Sequence, residues 1–252
     1  MAYAIAVIIL GLLVGSFLNV CIYRIPKGKS IVSPPSACPG CGKRLGPFEL
    51  VPVLSYLFLN GRCRVCGAKI SLRYPAVEML TAFLFCLCFW RFGLGAELIL
   101  SLIFTSLLLT TVFIDFDTME LPDGISLTCA AAGLVYGITV KNSLLFPLLG
   151  AAAGFLLTYI IYKAGSAVYK KEAMGGGDIK LAAATGTFLG WQGLLLSVYL
   201  AFFIAFIILL PALLTGFKKR HDLVPFGPAL AAGALITLLW GSSIWNWYAG
   251  VL

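Results

Sequence analysis

Two short stretches carry the residues with the clearest potential for chemistry. Asp178 follows three glycines in residues 175–180, at the start of a long uncharged run, and Asp115 lies 63 positions earlier, where another apolar run ends. Two neighbouring carboxylates that share one proton can hydrolyse a peptide bond, because the ionised group activates water while the protonated group donates to the carbonyl oxygen. The pattern therefore indicates an aspartyl protease with Asp115 and Asp178 as its catalytic residues.

The acidic residues in these stretches also fit structural roles. Asp178 can equally be the N-cap of a helix that follows a glycine linker. Gly175 and Gly177 fit substrate positioning, because glycine allows the close approach of an extended peptide. Half of the ten acidic residues are expected on one rim of the protein, where helix capping explains Asp123 and solvation explains Asp117. That set is Asp115, Asp117, Glu120, Asp123 and Asp178.

Two C-x2-C pairs lie in residues 24–74, and each is followed by glycine. Four thiolates complete the tetrahedral shell of a structural zinc ion, and the glycines permit the tight turns of zinc knuckles. Disulfides are disfavoured if the segment is cytoplasmic, as its basic charge indicates. The other four cysteines lie in apolar runs and are expected to be buried. The predicted metal ligands are Cys38, Cys41, Cys63 and Cys66.

The elements that position these groups are predicted to be membrane helices. The chain is 61% hydrophobic and 11% charged, with a mean hydropathy of +1.01, which excludes an ordinary soluble domain. The apolar runs predict eight transmembrane helices starting near residues 3, 75, 96, 121, 143, 178, 192 and 226. Residues 181–217 are too long for one span, and 190–193 mark the predicted division. The fold class is therefore an all-α polytopic membrane protein with a small zinc-knuckle domain between its first two helices.

The distribution of Lys and Arg predicts the orientation of these helices. Loops 24–74, 115–122, 163–180 and 217–224 carry nine, none, four and three of the 18 basic residues. Basic residues of short loops stay on the cytoplasmic side, so the amino terminus is predicted outside and the two aspartates on the cytoplasmic rim. The net charge of +8 reflects this asymmetry and gives no indication of nucleic-acid binding. Residues 1–23 lack a basic segment before the apolar run, so a retained helix is expected rather than a cleaved signal peptide.

Three features near the first two helices each fit more than one role. Asn19 can pack one helix against another or contact a ligand. Glu78, one turn inside the second helix, can form an ion pair with Arg73 or serve a bound ligand. Residues 49–56 contain too many apolar side chains for a free loop, so they are expected either on the membrane surface or packed on the knuckle.

Several of these motifs together resemble one family, the bifunctional type IV prepilin peptidases, also called leader peptidase/N-methyltransferases. The resemblance covers nearly the whole chain. Its motifs include the two C-x2-C-G knuckles and the G-x-G-D sequence that ends at Asp178. The others are G-S-F-L-N-V-x-I-Y-R-x-P at 15–26, R-Y-P-x-V-E at 73–78, the acidic motif at 115–123 and P-F-G-P at 225–228.

The resemblance implies an activity that the residues alone do not show. Members of the family cut the basic leader of prepilins and pseudopilins and then methylate the new amino terminus with S-adenosylmethionine. They act in the bacterial inner membrane, in pilus assembly and type II secretion. In this chain Asp115 and Asp178 match the catalytic positions. The candidates for binding S-adenosylmethionine are Asn19, Arg24, Glu49 and Glu78.

The resemblance also implies a division into domains. Residues 1–23 are the first helix, 24–74 a cytoplasmic zinc domain associated with methyl transfer, 75–95 the second helix and 96–252 a six-helix peptidase domain. Two other functions remain possible. One is a peptidase that does not methylate, and the other is a proton-coupled transporter that uses the membrane carboxylates, although no inverted repeat is apparent.

Overall fold

The computed structural model describes residues 1–169, 175–216 and 225–251, and these residues are helical without β-strands. The basic loop at 217–224 and residues 170–174 of the loop at 163–180, both used to predict orientation, lie outside the described residues. Short 3-10 helices cover Ile25–Lys27 and Pro47–Leu50. The α-helices are α1 (Ala2–Arg24), α2 (Leu54–Phe58), α3 (Arg73–Phe92), α4 (Ala96–Thr118), α5 (Asp123–Thr139), α6 (Leu145–Tyr169), α7 (Gly176–Leu214) and α8 (Gly227–Val251).

The chain divides into two compact units, Met1–Leu98 and Ile99–Leu252. In the first unit, α1 packs antiparallel against α3 through glycines on α1. A Cβ atom on Gly11 would lie 2.5 Å from Cα of Ala82, and one on Gly15 would lie 2.7 Å from Cα of Glu78. Small residues allow two membrane helices to approach this closely. The segment between the two helices holds the four cysteines and the short helix α2.

In the second unit, α7 is the central helix, and α5, α6 and α8 pack against it. Glycines again permit close contact, since a Cβ atom on Gly133 of α5 would collide with Thr187 of α7. Stacked aromatic rings also join α4, α5 and α7. The ring of Phe188 lies between those of Phe104 on α4 and Tyr136 on α5, with centroid distances of 4.2 and 4.3 Å. The core of this unit therefore surrounds the first half of α7.

Within the described residues, six helices are long and apolar enough to cross a membrane, and the 17-residue α5 is a shorter apolar helix. Seven of the eight predicted starts lie within two residues of an observed helix start. The predicted start near 192 falls inside α7, which has 39 residues and is interrupted by non-helical torsions at Gly190, with φ 70° and ψ 175°. Glycine adopts this positive φ without the steric cost that a side chain would add. The predicted division at 190–193 thus coincides with a break in α7.

Candidate active site and metal site

The two candidate catalytic aspartates lie at helix ends in the second unit. Asp115 is in the last turn of α4 and is only 4% exposed, and Asp178 is in the first turn of α7 and is 9% exposed. The backbone N–H of Asp178 donates to the carbonyl oxygen of Gly175, the N-cap of α7, at 3.1 Å. The two carboxylates are close enough to interact electrostatically. The fold therefore brings together two buried acids that are 63 positions apart in the sequence.

Burial separates these two aspartates from the other acids of the same rim. Asp117, Glu120 and Asp123 are all exposed. Asp123, the first residue of α5, forms an ion pair with Lys180 of α7, with Oδ1 and Nζ 2.6 Å apart. These three acids are therefore solvent-exposed, whereas Asp115 and Asp178 are buried.

Asp115 faces the beginning of α8. Its Oδ2 atom is buried and has no hydrogen-bond partner among the described residues. A Cβ atom on Gly227, the first residue of α8, would lie 2.5 Å from this oxygen. Any side chain at position 227 would therefore displace the Asp115 carboxylate. Buried carboxylate oxygens are normally paired, so an unpaired one at a helix terminus marks Asp115 as a candidate functional group.

The glycines before Asp178 differ in their surroundings. A Cβ atom on Gly177 would lie 2.8 Å from Cβ of Leu121, so the chain that follows α4 packs directly on the start of α7. Gly176 has no neighbour within 4 Å of its Cβ position. Gly175 serves as the N-cap residue in an extended conformation. Substrate positioning by Gly175 and Gly177 stays a prediction, because their observed contacts are within the protein.

The two C-x2-C pairs form matching hairpins in the first unit. In the first, the N–H of Cys38 donates to the oxygen of Lys43 at 2.9 Å, and in the second, the N–H of Cys63 donates to the oxygen of Ala68 at 2.8 Å. The glycine after each second cysteine, Gly42 or Gly67, has a φ near 70°. These positive values explain the glycines, because a side chain would strain either turn. Each pair of thiols is therefore oriented by its own local turn.

The hairpins bring the four sulfur atoms to one point. All four lie within 4.8 Å of one another, and the Sγ atoms of Cys38 and Cys66 are 3.8 Å apart. A tetrahedral zinc ion with bonds of about 2.3 Å requires sulfur atoms roughly 3.8 Å apart. Hydrogen bonds from the backbone N–H groups of Cys66 and Val65 lower the pKa of the Cys63 thiol to about 6. The pKa of the Cys66 thiol is raised to about 11, because the hydrogen bond from the Ala68 N–H is outweighed by burial and the neighbouring thiols. The chemistry and spacing of this donor set fit a four-thiolate metal site.

Two of the four residues predicted to bind S-adenosylmethionine stabilise the end of α1. The side-chain amide of Asn19 is buried and donates to the carbonyl oxygens of Gly15 and Tyr74, at 3.3 and 3.1 Å. The guanidinium of Arg24 donates to the carbonyl oxygens of Ser30 and Pro34, at 2.9 and 2.6 Å. Asn19 thus joins α1 to α3, and Arg24 fixes the loop that follows α1.

The two glutamates of that set also have partners within the protein. The N–H of Gly46 donates to Oε2 of Glu49 at 2.8 Å and lowers the pKa of Glu49, and Lys43 lies 3.7 Å from the other oxygen. The buried Glu78 accepts a 2.8 Å hydrogen bond from the N–H of Val53. All four predicted residues therefore stabilise local structure, and binding of S-adenosylmethionine by them stays a prediction.

Comparison with known proteins decides the family. Residues 9–92 match the model of the bacterial peptidase A24 N-terminal domain, and residues 102–210 match that of the type IV leader peptidase family. A protein from Bacillus subtilis named prepilin leader peptidase/N-methyltransferase is 40% identical, and the alignment covers 95% of each chain. The chain belongs to the type IV leader peptidase family. Proteins of the same name from Aeromonas salmonicida and Neisseria gonorrhoeae are each 35% identical, over 98% and 95% of this chain and 94% and 92% of theirs.

Membership of the type IV leader peptidase family confirms the resemblance found in the sequence and makes the chain a peptidase. The N-terminal match contains all four cysteines, and the leader peptidase match contains both Asp115 and Asp178. Together with the six apolar helices, it indicates a multi-pass protein of the inner membrane. No solved structure matches the chain.

Two contacts in this chain were not identified from its sequence. The first is Gly227 against Asp115, although the P-F-G-P motif at 225–228 was a detectable signal. The second is the hydrogen bond between Glu78 and Val53, which links positions 25 apart and leaves no periodic pattern in the sequence. Both contacts connect a helix end to a distant segment, so sequence spacing does not reveal them.

Proposed function

We propose that this chain removes the leader of prepilins and pseudopilins and then methylates the new amino terminus. Cleavage is assigned to Asp115 and Asp178. The main support is that these two aspartates are buried together, with Oδ2 of Asp115 unpaired among the described residues. Methylation is supported by the relatives, which are named for both activities.

In the proposed cleavage step, one aspartate accepts a proton from water while the water oxygen attacks the scissile carbonyl carbon. The other aspartate donates its proton to the carbonyl oxygen. The tetrahedral intermediate then loses the C–N bond, and the departing nitrogen takes up a proton to become the new amino terminus. Asp115 is proposed as the ionised partner, because it faces the first turn of α8, where backbone N–H groups stabilise negative charge.

In the proposed methylation, S-adenosylmethionine would supply an electrophilic methyl group. The released amine would accept it as the S–CH3 bond breaks and S-adenosylhomocysteine leaves. The nitrogen must lose a proton before it reacts. Asn19, Arg24, Glu49 and Glu78 are retained as candidates for this site, although each also holds local structure. The assignment rests on family membership rather than on the geometry of these four side chains.

A single zinc ion is proposed at Cys38, Cys41, Cys63 and Cys66, where it would stabilise the structure. Few large apolar side chains of this region are buried, so hydrophobic packing alone provides little stability. A closed four-thiolate site would supply the missing folding energy. Metal analysis of protein prepared without chelator should find about one zinc per chain.

The proposed topology has eight crossings, with the amino terminus outside and the aspartates at the cytoplasmic face. It counts α5 as a crossing and divides α7 at Gly190. The proposed domains are residues 1–23, 24–74, 75–95 and 96–252, with the peptidase in the last of them. This orientation would place the scissile bond at the cytoplasmic boundary of the substrate's own membrane segment.

The test of cleavage uses purified full-length protein in lipid nanodiscs, a prepilin and S-adenosylmethionine. Asp115→Asn and Asp178→Asn should each slow cleavage by about 10²–10⁴-fold, since each removes a proton-transfer group. Asp123→Asn is the matched control, because Asp123 lies on the same rim but is exposed, and it should cleave normally. Normal cleavage by either of the first two variants would refute the assigned pair.

Mass spectrometry of the same products tests methylation separately. The mature product should carry one added methyl group when S-adenosylmethionine is present and none when it is omitted. A cleaved product that stays unmethylated under both conditions would show a peptidase without transferase activity. That outcome would leave the assignment of the aspartates intact.

A further inference from the structure

Residues 47–58 of the first unit expose an unusual amount of apolar surface. They contain the 3-10 helix Pro47–Leu50 and the helix α2, and we call them the 47–58 segment. Phe48 is 88% exposed and Phe58 is 83% exposed, and Leu54 and Leu57 are also exposed. Exposing large apolar side chains to this extent is unfavourable in water, and a cluster of them marks an interaction surface. Within the described residues no other element covers them.

One hydrogen bond fixes the level of this segment along the membrane helices. The N–H of Val53 donates to Oε2 of Glu78 at 2.8 Å, and the Glu78 carboxylate also interacts with Ser16 of α1. Glu78 follows Arg73, the first residue of α3, by five positions, which is about 7.5 Å along a helix. Val53 therefore lies beside the membrane-spanning pair α1 and α3, inside their ends rather than beyond them.

The backbone at Val53 is held in a rarely populated conformation. Val53 has φ 60° and ψ −50°, and the N–H of Leu54 donates to the oxygen of Pro52 at 2.6 Å. These are the features of a γ-turn with positive φ, which is strained, especially for a β-branched residue. Such strain persists only where surrounding contacts impose it. Here the contact is with Glu78, so α3 determines where α2 begins.

The charge around the segment complements an anionic surface. Residues 24–74 contain nine Lys or Arg and one acidic residue, Glu49. Phe48, Phe58 and Leu54 line a groove of about 370 Å³, and Arg64 lies on the same groove. Aromatic and leucine side chains next to basic residues are typical of segments that lie at the boundary between lipid headgroups and acyl chains.

We propose that the 47–58 segment inserts its apolar side chains into the bilayer at the headgroup boundary, with anionic phospholipid as the occupant of this surface. The sequence predicted that residues 49–56 lie either on the membrane surface or against the zinc knuckle. The contact between Val53 and Glu78 favours the membrane surface. Insertion would hold the four-cysteine region against the bilayer at a third point, in addition to α1 and α3. The proposal is independent of the assigned catalytic activity.

Photo-cross-linking from full-length protein in nanodiscs of phosphatidylethanolamine and phosphatidylglycerol tests this proposal. Benzoylphenylalanine replaces Phe58 in one variant, Phe83 in a second and Val32 in a third. Phe83 is exposed on α3 and serves as the positive control. Val32 is 85% exposed, as much as Phe58, but lies beyond the end of α1 and serves as the matched negative control. Adducts are identified by mass spectrometry.

The expected result is phospholipid adducts at position 58 with a yield comparable to that at 83 and several-fold above that at 32. Equal yields at 58 and 32 would overturn the proposal, and so would adducts at 58 that join two protein chains instead of lipid. Adding Glu78→Ala to the position-58 variant should lower the lipid adduct, because the turn at Val53 is released. An unchanged yield would show that Glu78 does not set the depth of the segment.

Discussion

The two candidate sites of this protein are assembled in opposite ways. The four cysteines span 29 residues, from Cys38 to Cys66, and each pair is oriented by a hairpin that closes on itself. The two aspartates are 63 positions apart and come from the ends of α4 and α7. Short-range hydrogen bonds therefore orient each half of the first site, whereas long-range helix packing builds the second.

This difference determines what each site depends on. The proposed metal site depends mainly on its four ligands, because a local turn already orients each pair of thiols. The aspartate site needs the exact approach of helices, which depends on glycines such as Gly227 and Gly133. A ligand change should therefore damage the first site directly, whereas a single added methyl group should damage the second.

The largest effect is expected from removing one cysteine ligand. Cys41→Ser should reduce bound zinc from about one per chain to a small fraction, because structural zinc binding contributes roughly 10–16 kcal/mol in small zinc domains. Residues 24–74 should then become sensitive to protease. Zinc content by mass spectrometry and limited proteolysis measure both effects. Cys86→Ser, which changes a cysteine of α3 outside the cluster, is the control and should retain its zinc.

The second largest effect is expected from a change in the helix packing around Asp115. Gly227→Ala should lower the rate of prepilin cleavage by about 10²-fold, since the added methyl displaces the Asp115 carboxylate by about an ångström. The thermal stability should change little, because the atom that must move is the end of a side chain. Gly176→Ala is the control, since nothing lies near its Cβ position. If both variants cleave at the rate of the unsubstituted chain, the proposed role of Gly227 is wrong.

The same difference explains what the sequence could predict. The C-x2-C-G pairs predicted a four-cysteine cluster because spacing and glycines encode each hairpin locally. Uncharged runs and punctuating residues predicted the helix starts, including the division of the long run at Gly190. Family membership and the all-helical fold were also predicted correctly, since several motifs occur in order along the chain.

Apart from the pairing of Asp115 with Asp178 and of the two C-x2-C motifs, contacts between distant segments could not be predicted. Burial distinguishes Asp115 and Asp178 from their acidic neighbours, and burial depends on how helices pack. The sequence left two uses open for Glu78, an ion pair or a ligand contact, and did not anticipate the N–H of Val53 as a partner. No local pattern encodes that pairing, because its two members belong to different elements.

A third prediction concerns the packing that positions α7. Gly133→Ala should lower the free energy of unfolding by about 1–3 kcal/mol, because its methyl group would meet the backbone as well as the side chain of Thr187. Gly124→Ala in the first turn of the same helix is the control. It meets open space and should be neutral or stabilising by up to about 1 kcal/mol. Unfolding in detergent gives both values, and equal stabilities would contradict a close contact between α5 and α7.

The smallest effect is expected from an ion pair close in sequence to the candidate catalytic residue Asp178. Lys180 lies two positions after Asp178 and pairs with Asp123 at 2.6 Å, yet both side chains are well exposed to solvent. Exposed ion pairs gain little because water screens them, so Lys180→Ala should change the free energy of unfolding by less than about 1 kcal/mol. Cleavage should stay within a few-fold of the unsubstituted rate. A loss as large as that expected for Gly227→Ala would mean that α5 positions Asp178 through this pair, and that burial and helix packing alone do not define the site.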